Sequence, residues 1–241
     1  MKRAAVWLIL LLLPVRVIAE DLKEFLSVAT EANRPDVPLR ADGEITVRSP
    51  DATKQDRIII VAQRNGDVYL ETQRGGLKAL LKPGDMEVYV RAGRDSAEKK
   101  VALEDAFTGT DFTWEDLLPF DLSSWDFPVI IDKSAHDLTV QLTPKTHQYI
   151  LVVSTFDRDK RVPIKTLYYV EKASNLVKMR TDEGLVEVAG QWLPSKITLK
   201  TFALRTETTL AVKWRKATDV PEGLFLSGSL ERDSGLRFPE S

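Results

Sequence analysis

The stretch "GTDFTWEDL", Gly109 to Leu117, decides how this chain is read: nine residues carry three acids, two aromatics, two threonines and a glycine. It lies between an alternating run (Val101, Leu103, Asp105, Phe107) and a loose segment, "LPFDLSSWDFP". Three readings compete: an acidic catalytic site, a metal loop, or the turn and cap of a short helix. Capping has a definite mechanism. Thr113 followed by Asp116 fits the box in which a hydroxyl meets a backbone N–H one turn on and a carboxylate reaches back. Asp111 can accept from orphan N–H groups of the same turn, and Gly109 permits the bend out of the preceding strand. Phe112, Trp114 and Leu117 then point to the apolar side. The catalytic reading pairs Asp111 with Glu115 or Asp116, because neighbouring carboxyls split their pKa values.

Working outward, the chain before this stretch reads as short strands with turns between them: 43–49, 57–63, 67–73, 76–82, 85–91 and 99–107. After it come 137–143, 148–156, 165–172, 175–182, 184–189, 193–202 and 206–215, leaving 118–134 and the tail after about 232 as loose stretches. Turns are expected at Arg64-Asn65-Gly66-Asp67, Lys82-Pro83-Gly84-Asp85, Ala173-Ser174-Asn175 and Asp182-Glu183-Gly184, whose residues tolerate positive φ or cap tight bends. So many strands with almost no helix between them pair antiparallel through hairpins. Alternation such as Thr208, Leu210, Val212 and Trp214 against Thr209, Ala211 and Lys213 makes one sheet face apolar and the other wet. Such a face is buried by curling the sheet or by laying helices inside the curl. One helix is expected early, where "EDLKEFLSVATEA" spaces Leu22, Phe25, Leu26 and Ala29 at helical intervals.

The first residues stand apart. Lys2 and Arg3 precede an apolar run from Ala4 to Leu13, and Val17-Ile18-Ala19 precede acids, the pattern of a secretory signal peptide cleaved after Ala19. The run is about half of the ~20 residues a spanning helix needs. Its removal takes Lys2, Arg3 and Arg16 and no acid, moving the formal charge from −2 to −5. That balance excludes a nucleic-acid surface. The chain has no cysteine, which excludes both a disulfide framework and a lipid-modified N-terminal cysteine. An exported periplasmic protein, residues 20–241 as a single domain, fits these features. His136 and His147 flank one strand without a Cys or helical His partner, so neither a metal nor a cofactor is expected. No Gly-x-Ser-x-Gly elbow and no phosphate-cradling glycine loop occurs.

The opening motif resembles the Gly-Ser-Asp-Phe-Ser-Tyr-Glu-Asp-Leu signature of the LolA-like outer-membrane lipoprotein-sorting family. The resemblance continues in order: "GDMEVYV" before the motif, then "YILVVSTFDRDKRVPIKTLYYVEKASNLVKMR", "GQWLPSKITLKTFALRTETTLAV" and "PEGLFLSGSLER" after it. It covers residues 43 to 232, with Glu87 and Arg91 standing where the family often has Trp and Pro. It implies a mainly β fold: a strongly curved antiparallel sheet of about eleven strands, an incomplete barrel with short helices plugging its concave side. It also implies a non-enzymatic periplasmic carrier for lipid or lipoprotein acyl chains, working with exporters of the resistance-nodulation-division type or other transient membrane-associated partners. Candidate lining residues are Ile58, Ile60, Val88, Val90, Leu151, Val153, Leu210 and Val212, with Phe112 and Trp114 as plug. Gly109, Asp111, Thr113 and Asp116 are then motif residues. The competing expectation is an accessory subunit of an envelope transport complex whose core is closed by its own side chains.

Overall fold

The computed structural model describes residues 22–239 except 64, 94, 108, 146, 147 and 227. The expected signal peptide and His147 therefore lie outside the described residues. A helix, α1, spans residues 22–32. The strands are β1 (Leu39–Arg48), β2 (Thr53–Ala62), β3 (Val68–Thr72), β4 (Leu77–Lys82), β5 (Glu87–Ala92), β6 (Lys99–Val101), β7 (Trp125–Lys133), β8 (Asp137–Pro144), β9 (Leu151–Asp157), β10 (Val162–Tyr169), β11 (Leu176–Val188), β12 (Gln191–Thr201) and β13 (Thr206–Lys216). All pairs are antiparallel and form one open sheet in the order β6-β5-β4-β3-β2-β1-β13-β12-β11-β10-β9-β8-β7. The sheet is the expected curved, incomplete barrel, with thirteen strands instead of about eleven.

Cross-strand register defines the two faces. Ile58 pairs with Gly43, Gly43 with Val212, Ile45 with Leu210, Leu210 with Ile197, and Leu199 with Arg180, so these residues share one side. That side continues through Lys178 to Tyr168, Val152 and Leu142. It is the concave face, and two segments fill it. The chain between β6 and β7 lays Leu103, Phe107, Phe112 and Trp114 onto Ile58, Ile60, Leu70, Val88, Leu210 and Val212. Helix α1 lays Leu22, Leu26 and Ala29 onto Leu138, Val140, Leu142, Val152 and Phe156. Gly43 permits the tight β1–β13 contact, since a Cβ there would stand 2.1 Å from the carbonyl oxygen of Ala211.

Four departures from the sequence expectations have physical causes. The expected turn at Asp182-Glu183-Gly184 is absent: Gly184 has positive φ, yet β11 runs through it and pairs with β12 on both sides. The hairpin instead turns at Ala189-Gly190, both with positive φ, joining Val188 to its partner Gln191 as a two-residue loop of this kind requires. Strand β7 occupies part of the segment read as loose. Two register shifts, Pro128 and a positive-φ Phe127 destroy its two-residue period, devices suited to an edge strand. The expected strand 99–107 stops at Val101, where the Asp105 carboxylate takes the Ala102 N–H and Asp105 N–H returns to the Ala102 carbonyl. Finally, the tail is packed. Leu224, Leu230 and Leu236 cover Ile59, Val61, Tyr69 and Leu80 on the convex face, so β2 to β4 are apolar on both sides. Arg57 and Arg91 hold this tail through the carbonyls of Pro239 and Leu230, each at 2.9 Å.

Candidate functional site

The segment from Leu103 to Leu117 folds back on itself over the concave face. Phe107 and Phe112 are joined N–H to carbonyl at 2.9 Å, Ala106 and Thr113 form an isolated bridge, and the Glu115 N–H reaches the Leu103 carbonyl at 3.0 Å. Gly109 takes φ +76° at the bend, a region open to glycine. Thr113 then caps a single 3-10 turn, Trp114–Leu117. The expected capping box forms: the Asp116 carboxylate accepts the Thr113 N–H at 2.7 Å, and the Thr113 hydroxyl donates to the same oxygen at 2.8 Å. Phe112 and Trp114 are buried, and Trp114 stacks on Phe107 with ring centroids 4.9 Å apart.

The acids of the motif do more than cap. Between the two apolar halves of the concave face runs a polar stripe on β9, β10, β11 and β13, containing Ser154, Thr166, Lys178, Arg180, Asp182 and Thr208. Asp111 accepts the hydroxyls of Thr206 and Thr208, the latter at 2.7 Å, and its own N–H donates to Thr208 at 2.9 Å. Asp116 forms an ion pair with Lys178, whose side chain is 6% exposed against 2% for Asp116. Tyr168 donates its phenolic O–H to the other Asp116 oxygen at 3.0 Å, and the Asp116 carbonyl accepts from Arg180 at 2.6 Å. Arg180 in turn forks onto Asp182 at 2.8 and 3.0 Å. The Lys178 ammonium lies 5.0 Å from the Tyr168 ring centroid and 6.0 Å from that of Tyr149. The segment is thus stapled to the sheet at both ends, by Asp111 on β13 and by Asp116 on β10 and β11.

The electrostatics follow from this geometry. Burial opposes ionisation of Asp116, but the adjacent Lys178 ammonium and the donated hydrogen bonds prevail and hold its carboxyl below the usual range. Burial first, then the charge of Asp116, pushes the Tyr168 phenol well above its ordinary value. Glu115 has the opposite fate to its neighbour. Burial, with the Asp116 charge adding to it, pushes Glu115 up to about 7. A folded-state value above the unfolded one means the native state binds the extra proton. The contribution of Glu115 to stability is therefore fully present below pH about 4.5 and is lost as pH rises through about 7. Glu115→Gln is expected to remove this slope, gaining about 2 kcal/mol relative to the parent protein between pH 5 and pH 8. Urea unfolding of both proteins at the two pH values checks it.

Placement of the candidate lining residues is mixed. Ile58, Ile60, Val88, Leu210 and Val212 lie on the concave face beneath Phe112 and Trp114, with Val90 partly buried beside them. Leu151 and Val153 face the other way: Val153 pairs with Leu167 and Leu167 with Met179, whereas Val152 pairs with Tyr168 and Tyr168 with Lys178. On β9 the concave positions are Val152, Ser154 and Phe156. Most of the concave candidates are closed off from solvent: Ile58 and Val88 are 0% exposed, Leu210 1%, Val212 4% and Ile60 5%. Sequence reading missed Lys178, Arg180 and Asp182 as partners of the motif. Their signal was three charged residues two apart in "KMRTD", all on the side of β11 that continues an apolar face. His136 is exposed in the β7–β8 turn. Among the described residues, no group of three or more His, Cys, Asp and Glu side chains is placed to hold a metal.

The fold, a curved open antiparallel sheet, is shared with solved structures of LolA superfamily and DUF1329 family proteins. A DUF1329 family protein from Desulfovibrio piger matches with a TM-score of 0.75 and 14% identity, over 86% of this chain and 96% of that one. The domain of an outer membrane lipoprotein-sorting protein from Vibrio parahaemolyticus matches at 0.74 and 15%, over 87% and 97%. A LolA superfamily protein from Nitrosomonas europaea matches at 0.65 and 17%, over 84% and 96%. No curated protein matches the sequence. A family model described as "Uncharacterized protein" matches residues 88–232, and the chain belongs to that family.

Proposed function

We propose that this chain is a periplasmic carrier that binds the acyl chains of a lipid or lipoprotein and performs no catalysis. The observation that carries the reading is the construction of the concave face. A continuous apolar floor on β1 to β5, β12 and β13 is covered by a loop that contributes no strand to the sheet and is held by polar staples at Asp111 and Asp116. Lifting that loop uncovers Ile58, Ile60, Val88, Val90, Leu210 and Val212 to a guest, with each buried methylene contributing about 0.8 kcal/mol. Without a nucleotide to drive release, transfer rests on affinity differences among donor, carrier and acceptor. Export through cleavage after Ala19 and delivery by or to an inner-membrane exporter of the resistance-nodulation-division type complete this reading.

A second reading is favoured by one specific observation, the near-complete burial of the floor beneath Phe112 and Trp114. On this reading the core stays closed and the protein acts through its outer surface as an accessory subunit. One experiment separates the two: native mass spectrometry and lipid extraction of protein purified from the periplasm of an outer-membrane-bearing host, with a fluorescent fatty acid titrated into it. The carrier predicts a bound acyl lipid or saturable uptake of the probe. A clean mass without uptake overturns it in favour of the closed module.

A further inference from the structure

The turn between β12 and β13 has an unusual composition for its place. Thr201 pairs with Thr206, so the loop is the four residues Phe202-Ala203-Leu204-Arg205. Short turns favour glycine, asparagine, aspartate and serine. Here Phe202 is 44% and Leu204 67% exposed, two large apolar side chains in a turn at one end of the sheet. Phe202 also lines a surface hollow of about 420 Å3 together with Arg48, Lys200 and Arg205, and among the described residues Glu207 is the one acid in that lining. Glu207 is already engaged, by Lys200 at 2.8 Å and Arg48 at 3.4 Å. The hollow therefore presents a net positive field around an apolar tip.

Exposed apolar groups in a turn with cations beside them match a bilayer boundary, where the former enter the acyl layer and the latter meet headgroup phosphates. A protein partner is a poorer fit, because a stable interface covers roughly 800 Å2 per partner and a four-residue tip offers far less. We propose that the β12–β13 tip docks the protein on an anionic phospholipid bilayer, Phe202 and Leu204 inserting and Arg48, Lys200 and Arg205 contacting phosphates. This goes beyond the carrier reading and stands whether or not an acyl chain is held. It also places the docked tip next to the loop's anchor, since Thr206, the first residue after the tip, donates to Asp111.

Flotation of the purified protein with vesicles tests it. Binding is expected to phosphatidylethanolamine vesicles containing phosphatidylglycerol and not to phosphatidylcholine vesicles, and to weaken as salt rises. The double variant F202S/L204S is expected to lose at least about tenfold in partitioning, and K200Q/R205Q several-fold with a flatter salt dependence. Glu207→Gln, which removes the hollow's acid, is expected to raise partitioning about threefold, an increase that misfolding would not mimic in protein with an unchanged circular dichroism spectrum. Equal flotation with both vesicle types, flotation with neither, or unaltered binding of folded F202S/L204S overturns the proposal. No cargo is present in the experiment, so its failure leaves the carrier reading to its own test.

Discussion

Asp116→Ala destabilises the protein by about 3–5 kcal/mol, because it strands the Lys178 ammonium without its counter-charge inside the curl of the sheet. The Tyr168 O–H and the Thr113 N–H lose their acceptor in the same step. If the carboxylate were only the far half of a capping box, the loss would be about 1 kcal/mol and insensitive to Lys178. The two accounts therefore differ by more than the error of a urea titration. Lys178→Met tests the pair from the other side, leaving a carboxylate that retains its hydroxyl and backbone donors and the nearby Arg180 but not its paired ammonium. The double variant D116A/K178M removes both charges and is expected to be at least about 2 kcal/mol more stable than the sum of the single losses. Additivity within about 0.5 kcal/mol would sink the idea that the pair acts as a unit. The pH dependence has a fixed sign. The folded-state value of Asp116 is depressed, so its stabilisation is present above the ordinary carboxyl range and is lost as pH falls below that range through the depressed value.

That staple explains where sequence reading succeeded and where it stopped. Alternation and turn chemistry carried the sheet: most expected strands coincide with real ones to within a few residues, since a half-buried strand writes its period into the sequence. The cap at Thr113 and Asp116 was legible because it is local, with both partners three residues apart. The reach of Asp116 to Tyr168 and Lys178 spans 52 and 62 residues and depends on a register that local pattern does not specify. The same ignorance of register turned Leu151 and Val153 to the wrong face, because a strand apolar at successive positions, as in "YILVV", carries no parity. Strand β7 was hidden for the opposite reason: its bulges break a period that the chain needed to break at an edge. The tail over β2 to β4 was hidden because it is irregular. Only the apolar outer positions Ile59, Val61, Tyr69 and Leu80 hinted that something must cover them.

Trp114→Ala is expected to cost about 3–5 kcal/mol, the range for deleting a large aromatic side chain from a packed core. Trp114 is 2% exposed, stacks on Phe107 and sits with Phe112 on the apolar floor of the sheet. The hole it leaves is bounded by aliphatic and aromatic groups, and an apolar void of that kind stays dry and accepts small apolar guests. This turns a stability measurement into a test of what the concave face does. Benzene at about one hundred times its dissociation constant would restore roughly 2.7 kcal/mol to the variant by mass action. If the covering loop lifts in the parent protein, a longer guest, lauric acid, stabilises the parent too, after displacing the tryptophan and breaking the Asp116 staple. If the loop is permanent core, only the variant responds, and only to benzene. Stabilisation of neither protein would mean that the floor collapses around the gap, and a sheet that closes so readily on itself is a poor container for a guest.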